Sequence, residues 1–499
     1  MSAPTEGLRT LPGGLRLPPN KELSTASDVV TVPLPTKMVV PLRQHAGEEA
    51  LAVVKVGDAV LGGSVLGEPD GAVSTFVHAT TSGRVAAIEQ RPLPMRGEPV
   101  GTCVVIDVDG NDQWAEFAAP AEDRTARLAA VHEAGLVGLG GAVYPAAQKI
   151  TQGLASGIDT VILNGVECES YISCDDRLMR EHADLVIGGL SQLIDLVAAK
   201  RGIVAVESDK PAAWEALRAA AAEQLDERIE WVQIPTVYPS GAEDQLIYLV
   251  TGREVPSRGL PGDIGILVQN AGTVAALAEL LATGRPLHSR IVTVTGEGVA
   301  NPGNYRVRLG TPIADVVAAA GGYNDKARRL IVGGPMTGIA LTDDALPVTK
   351  SCNCLLITGP AVHLSPEPQR ECIRCGECAA HCPVRLMPQS LYHYAPRQQP
   401  DTLLGLGLED CIECGCCDLV CPSHIPLTHT FREAKQAVRL RTNEALRAQR
   451  AEQRFKAHVE RTATESARSA DKLADKKRAA SASAIAAIVK RKRRDDDGR

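Results

Sequence analysis

Residues 36–112 carry short β-branched runs broken by glycine turns: VVKVGDAV, GGSVLGEPDGAV, HATTSGRVAAIE and GTCVVIDVDG. Turn signals at this spacing predict a small β-domain. Between 120 and 286 the texture changes to helix-period segments (TARLAAVHEA, ADLVIGGLSQLIDLVAAK, WEALRAAAAEQL, TVAALAELLA) alternating with short apolar runs (TVILN, GIVAVES, IEWVQIP, GILVQN). Such alternation predicts an α/β layer with a mainly parallel sheet, whose ligands sit outside the carboxyl ends of its strands. Residues 287–345 read as a hairpin, a helix and a return strand (RIVTVTGEGVANPGNYRVRLGTPIADVVAAAGG, then RRLIVGGPM), which suggests a β-grasp-like unit. Residues 360–430 have little apolar periodicity. From 431 to 499 the chain is rich in Ala, Lys, Arg, Glu and Gln and too poor in apolar residues for a core-facing stripe, so it reads as a solvated helical arm.

At 499 residues and 44% hydrophobic the chain can bury ordinary cores, which excludes wholesale disorder and suggests about three or four domains beside the arm. The net charge of −7 hides an asymmetry: residues 431–499 hold 20 Lys and Arg against 10 Asp and Glu, so the remainder is strongly acidic. The arm is open to two readings, a free solvated tail or docking on anionic lipid or an acidic protein surface. The first 35 residues form an extension without the apolar segment of a secretory signal, so the expected state of the thiols is reduced. No apolar run approaches the roughly 18 residues of a membrane span, and any membrane contact is expected to be peripheral.

Cysteine changes the picture. Nine of the 14 lie between 372 and 421, and Cys372-x2-Cys375-x2-Cys378-x3-Cys382-Pro383 recurs 39 residues later as Cys411-x2-Cys414-x2-Cys417-x3-Cys421-Pro422. Both runs match the bacterial ferredoxin pattern for 4Fe-4S clusters, in which the fourth cysteine of each run serves the other cluster. Cys372, Cys375, Cys378 and Cys421 are therefore assigned to one cluster, and Cys382, Cys411, Cys414 and Cys417 to the second. Structural zinc pairs Cys-x2-Cys units and fits triplets poorly. Cys416, Cys352, Cys354, Cys103, Cys168 and Cys174 are left with packing as their default.

Three polar loops fall at predicted strand ends. The segment GLVGLGGAVYPAAQKI sets Gly138, Gly140 and Gly141 before a helix starting near Pro145, with Lys149 inside it, so it forms either an anion cradle or a simple tight turn. The run TVILN ends at Asn164 and continues as GVECESYISCDDR, with Glu167, Glu169, Asp175 and Asp176. YPSGAED contains Gly241, and QNAGT contains Asn270 and Thr273. Together the loops point to a shared cofactor site more strongly than any one alone.

Two resemblances sharpen this. VKVGDxVxxGxxLGE followed by TSGRV resembles the β-hammerhead of biotinyl and lipoyl carriers, but Glu68-Pro69-Asp70-Gly71 stands where a carrier holds its modified lysine, so the module is read as structural. GLGGAVYP, NGVECESYISCDDR, YPSGAEDQLI, VQNAGT and the paired ferredoxin runs, in order from about Leu11 to Thr430, resemble the RnfC family, the C subunits of Rnf (Rsx) electron-transport complexes. The α/β part is also similar to the flavin subunit of respiratory complex I. Val143, Tyr144, Ala146 and Ser170 depart from the usual pattern. The resemblance implies a multidomain α/β and α+β fold: a β-hammerhead (barrel-sandwich) domain at 36–112, an FMN/NAD(H)-binding α/β domain at 120–286, a β-grasp domain at 287–345, a two-cluster ferredoxin domain at 360–430 and the basic tail. It implies FMN held by Gly138, Gly140, Gly141, Lys149, Asn164, Gly241, Asn270 and Thr273, with Glu167 and Glu169 in the flavin and nicotinamide pocket. It further implies an ion-translocating ferredoxin:NAD oxidoreductase subunit on the cytoplasmic face of a bacterial inner membrane, with integral membrane and iron-sulfur subunits and a ferredoxin or flavodoxin as partners. A cobalamin-reductase-like enzyme and a wiring subunit without nucleotide binding remain as alternatives.

Overall fold

The computed structural model describes residues 8–360, 368–397 and 399–496. The first seven residues of the N-terminal extension, 361–367 at the head of the ferredoxin-type segment and the last three residues of the tail lie outside the described residues.

Alternation in residues 36–112 produces two small antiparallel sheets. One orders Lys37–Pro41, Val100–Val108, Gly83–Pro92 and Ala59–Val60, and the other Leu51–Ala52, Val65–Glu68 and Val77–His78. Their inward residues, among them Met38, Val40, Leu66, Val104 and Ile106, close one dry core.

The α/β layer has four parallel strands in the spatial order Ile229–Ile234, Arg201–Glu207, Thr160–Gly165 and Ile266–Asn270. The first three are added in one direction, and the fourth returns to the far side of the Thr160 strand. The order therefore reverses between Thr160–Gly165 and Ile266–Asn270, and a crevice opens at their carboxyl ends. Asn164 and Asn270 are register partners at that crevice. The expected helices form at Arg124–Glu133, Ala146–Ser156, Ala183–Val197, Pro211–Gln224, Glu243–Thr251 and Ala271–Thr283. One further helix, Cys174–Glu181, occupies part of what the sequence reads as a polar loop.

The next unit is larger than the 287–345 expected. Its six-stranded sheet has Cys354–Thr358 in the interior and Val30–Thr31 of the N-terminal extension at one edge. The Cys354 strand shows no polar alternation because both of its faces are covered: Cys354 and Leu356 join the core of the α/β layer, while Leu355 and Ile357 join the core under the helix Ile313–Ala319. Cys352 and Cys354 are thus packing residues of these two cores.

In the cysteine-rich segment the 39-residue repeat extends to the backbone. Arg374 and Glu413, Gly376 and Gly415, and Arg385 and His424 are equivalent pairs, all with positive φ. One-turn helices follow at Glu377–Ala380 and Cys416–Leu419. The tail is one helix, Leu427–Asp496, of 70 residues and about 105 Å. No helix among the described residues is long and apolar enough to cross a membrane.

Candidate functional site

A cavity of about 500 Å³ lies at the crevice of the parallel sheet, within the range of cofactor pockets. Gly138, Gly140, Lys149, Asn164, Gly241 and Asn270 line it. Asn270 caps the helix Ala271–Thr283, accepting from Gly272 N at 2.9 Å, and donates to Asp175 Oδ2 at 2.6 Å. Asn164 donates to the Gly241 carbonyl at 2.9 Å and accepts from Val166 N at 3.0 Å, which fixes two loops at once. Lys149 bonds Glu243 Oε1 at 2.6 Å and the Val268 carbonyl at 2.8 Å. Gly140 stands where a Cβ would lie 3.3 Å from Asn270 Cβ, so its lack of a side chain keeps the crevice open.

Four expected residues do not line the cavity. Thr273 is buried, and its Oγ1 accepts from Leu139 N at 2.8 Å, anchoring the glycine loop to the helix. Gly141 faces open space. Glu167 is buried behind the crevice, accepting from Asp175 N at 2.9 Å and Asp176 N at 3.3 Å. Glu169 takes Met336 N at 2.8 Å and Thr337 N at 2.9 Å, bracing the six-stranded unit. Val143 is also off the lining, while Ala142 and Tyr144 are on it.

Behind the crevice is a charged cluster that spacing alone does not reveal. Glu167, Cys174 and Asp175 each bring a potential ligand atom within 4.8 Å of the others. Lys21 and Lys210 both donate to the Glu167 carbonyl, and Lys210 also pairs with Glu207. Two ammonium groups at this point compensate carboxylates and disfavour a cation. Burial raises Glu167 to about 7 and raises Asp175 as well, with the neighbouring lysines opposing the shift. Burial alone would lower Lys210, but Glu207 and Glu167 outweigh it and the net shift is upward.

The cysteines of the two runs fall into two groups. Cys372, Cys375, Cys378 and Cys421 line one small, mostly apolar cavity with Ile373, Tyr392 and Ile425. A fourth cysteine from the other run in that wall fits a cubane shared between runs. Cys382, Cys414 and Cys417 form the other group, with Cys382 and Cys417 buried, and Cys411 close enough to Cys417 to interact electrostatically. Leu386 N donates to Cys382 Sγ at 3.3 Å, a contact of the kind that raises a cluster's potential. Cys416 is fully buried and packs, as expected. Cys372 and Cys375 are exposed, so the first group lies outward and the second inward.

Tyr238 ties the inward group to the loop that borders the crevice. This residue is 4% exposed, its Oη donates to the Cys414 carbonyl at 2.7 Å, and four and five residues on Ala242 and Glu243 line the cavity. Cys168 accepts from Gly241 N at 3.4 Å in the same loop, and burial pushes its thiol up to about 12, so it is an inert acceptor.

Four family models match successive segments of the chain. Residues 9–111 match the RnfC barrel sandwich hybrid domain, 131–279 the Nuo51 FMN-binding domain, 291–340 the SLBB domain and 371–425 the 4Fe-4S dicluster domain. FMN and 4Fe-4S clusters are therefore the cofactors of the fold. Proteins named as the C subunit of an ion-translocating oxidoreductase complex are 45% identical over 453 residues in Pseudomonas aeruginosa (90% of this chain, 58% of that protein) and 41% identical over 433 residues in Haemophilus influenzae (85% and 64%). The Edwardsiella ictaluri protein of that name is 39% identical over 470 residues, covering 93% of this chain and 58% of its own length. The chain spans about three fifths of the length of these curated relatives.

Proposed function

The chain is a homologue of the C subunits of ion-translocating oxidoreductase complexes, the RnfC family, and from that premise we propose that it passes electrons between NAD(H) and ferredoxin-like carriers as a peripheral subunit. The single observation that carries this reading is the juxtaposition, through Tyr238, of the crevice of an FMN-binding domain with the inward cysteine group. FMN supplies the exchange between a hydride, which moves as an electron pair, and clusters that take electrons singly.

This chain's residues do the placing. Gly138, Gly140, Gly241, Asn164 and Asn270 hold the flavin in the crevice, with the N-terminus of the Ala271 helix favouring its phosphate. Lys149 is the cation on the cavity wall. Glu167 and Glu169 act indirectly, holding the loop behind the crevice. Cys382, Cys411, Cys414 and Cys417 bind the cluster nearest the flavin, and Cys372, Cys375, Cys378 and Cys421 bind the outer one, from which electrons reach a partner. On this reading residues 36–112 are the β-hammerhead, 120–286 the flavin domain, 287–358 the β-grasp unit and 360–430 the two-cluster domain. The partners are integral membrane and iron-sulfur subunits at the cytoplasmic face of the inner membrane.

The order of carriers is testable. In a Cys375→Ser chain, NADH is expected to reduce the inner cluster still, seen by electron paramagnetic resonance. In Cys414→Ser it is expected to leave the outer cluster oxidised although dithionite reduces it. Reduction of the outer cluster by NADH at the wild-type rate in Cys414→Ser would refute the order.

A further inference from the structure

The N-terminal extension, read from sequence as a separate segment, is stitched into both halves of the redox site. At its near end Gly14 N donates to the His381 carbonyl at 3.0 Å, and Leu15 exchanges two 2.8 Å backbone bonds with Tyr238. Gly13 and Gly14 leave no room for a side chain. A Cβ on Gly13 would lie 2.7 Å from the His381 carbonyl carbon, and one on Gly14, whose φ is +92°, would lie 2.6 Å from the Tyr238 carbonyl oxygen. Neighbouring Cys382 belongs to the inward cysteine group. At the far end the same chain packs on the loop 166–173, which follows the strand that ends at the crevice. Ser170 Oγ donates to the Pro18 carbonyl at 2.7 Å, Tyr171 N to the Pro19 carbonyl at 2.8 Å, and Lys21 Nζ to the Glu167 carbonyl. Ser24 Oγ meets Ser173 Oγ at 2.7 Å, and Asn304 Nδ2 donates to the Ser24 carbonyl at 2.8 Å.

Lys21 is 8% exposed although lysine is rarely buried without a charged or hydrogen-bonded partner. It sits against Glu167 and opposes the upward shift that burial imposes on that carboxyl. Removing it would leave the Glu167 carbonyl with the long 3.5 Å bond from Lys210 Nζ and the acidic loop short of a positive charge.

We infer that Pro12–Thr25 is a positioning strap: Gly13–Leu15 hold the inner cluster motif against the Tyr238 loop, and Lys21 holds the loop 166–173 that backs the flavin crevice. The separation of flavin and inner cluster is thereby set by a segment outside both domains. The inference rests on the proposed electron route for its consequence, but its mechanical part stands on the bonds above.

The test uses the full reconstituted chain and the variants Gly13→Ala, Lys21→Met and Lys21→Arg, with exposed Arg16→Ala as control. Gly13→Ala is expected to keep flavin and iron, to bleach its flavin with NADH at the wild-type rate, and to reduce the inner cluster at least about fivefold more slowly. Lys21→Met is expected to speed amide hydrogen exchange in residues 166–173 severalfold, with Lys21→Arg restoring most of the protection. A cofactor-replete Gly13→Ala with wild-type cluster reduction, or unchanged exchange in Lys21→Met, would overturn the strap. Should wild-type flavin fail to bleach with NADH, the electron route itself is refuted, and the exchange result alone then decides for or against the strap.

Discussion

Asn270 concentrates three tasks in one side chain: it caps a helix, lines the cavity and ties down Asp175. Asn270→Ala is expected to cost about 1 kcal/mol through the cap and to release FMN more readily, measured as flavin fluorescence in the filtrate after gel filtration. Lys350 is a different kind of buried residue. Its Nζ donates only to the carbonyls of Gly135 (2.7 Å) and Phe76 (3.3 Å), and burial pulls its pKa from 10.5 to about 7. The folded chain therefore gives up this proton near pH 7 while the unfolded chain keeps it to about 10.5, so the unfolded state binds more protons in that window and stability rises with pH across it. In Lys350→Met that part of the rise is expected to vanish, and the thermal midpoint should change less between about pH 7 and 10 than in wild type. An equal change in both would contradict the assignment.

At the level of elements, the two cysteine runs are near-copies, yet their glycines are not equally replaceable. Gly376 and Gly415 both sit at positive φ, where an alanine costs roughly 1–2 kcal/mol. A Cβ on Gly376 meets open space, but one on Gly415 lies 3.3 Å from the Met336 carbonyl, in the segment that Glu169 clamps. Gly415→Ala should therefore lower bound iron more than Gly376→Ala, and equal iron contents would count against this difference. The repeat is legible in sequence because ligand spacing is local. The role of Glu169 is not, because its partners Met336 and Thr337 lie 167 and 168 residues away and no pattern near Glu169 points to them. The strand Cys354–Thr358 is hidden for a related reason: an apolar run without alternation reads as a strand only once both covering layers are known.

Across the molecule, apolar periodicity locates the α/β layer and its strand ends correctly, and the crevice falls where the order of strands reverses. The linkage among domains stays hidden. Part of it runs through a glycine pair, a lysine and a few backbone carbonyls near the start of the described chain, residues whose importance comes from what the rest of the chain brings to them. In the tail every residue from 439 to 492 is exposed, so a chain ending at residue 445 is expected to retain wild-type flavin and iron contents. Electrons are proposed to run from nicotinamide through flavin to the inner and then the outer cluster. Anaerobic mixing of the reconstituted full chain with NADH, followed together by flavin absorbance and freeze-quench electron paramagnetic resonance, tests that route as a whole. Flavin bleaching followed by the inner and then the outer cluster signal is the expected outcome. Clusters that reduce without prior flavin bleaching, or a flavin that NADH leaves oxidised, would contradict it.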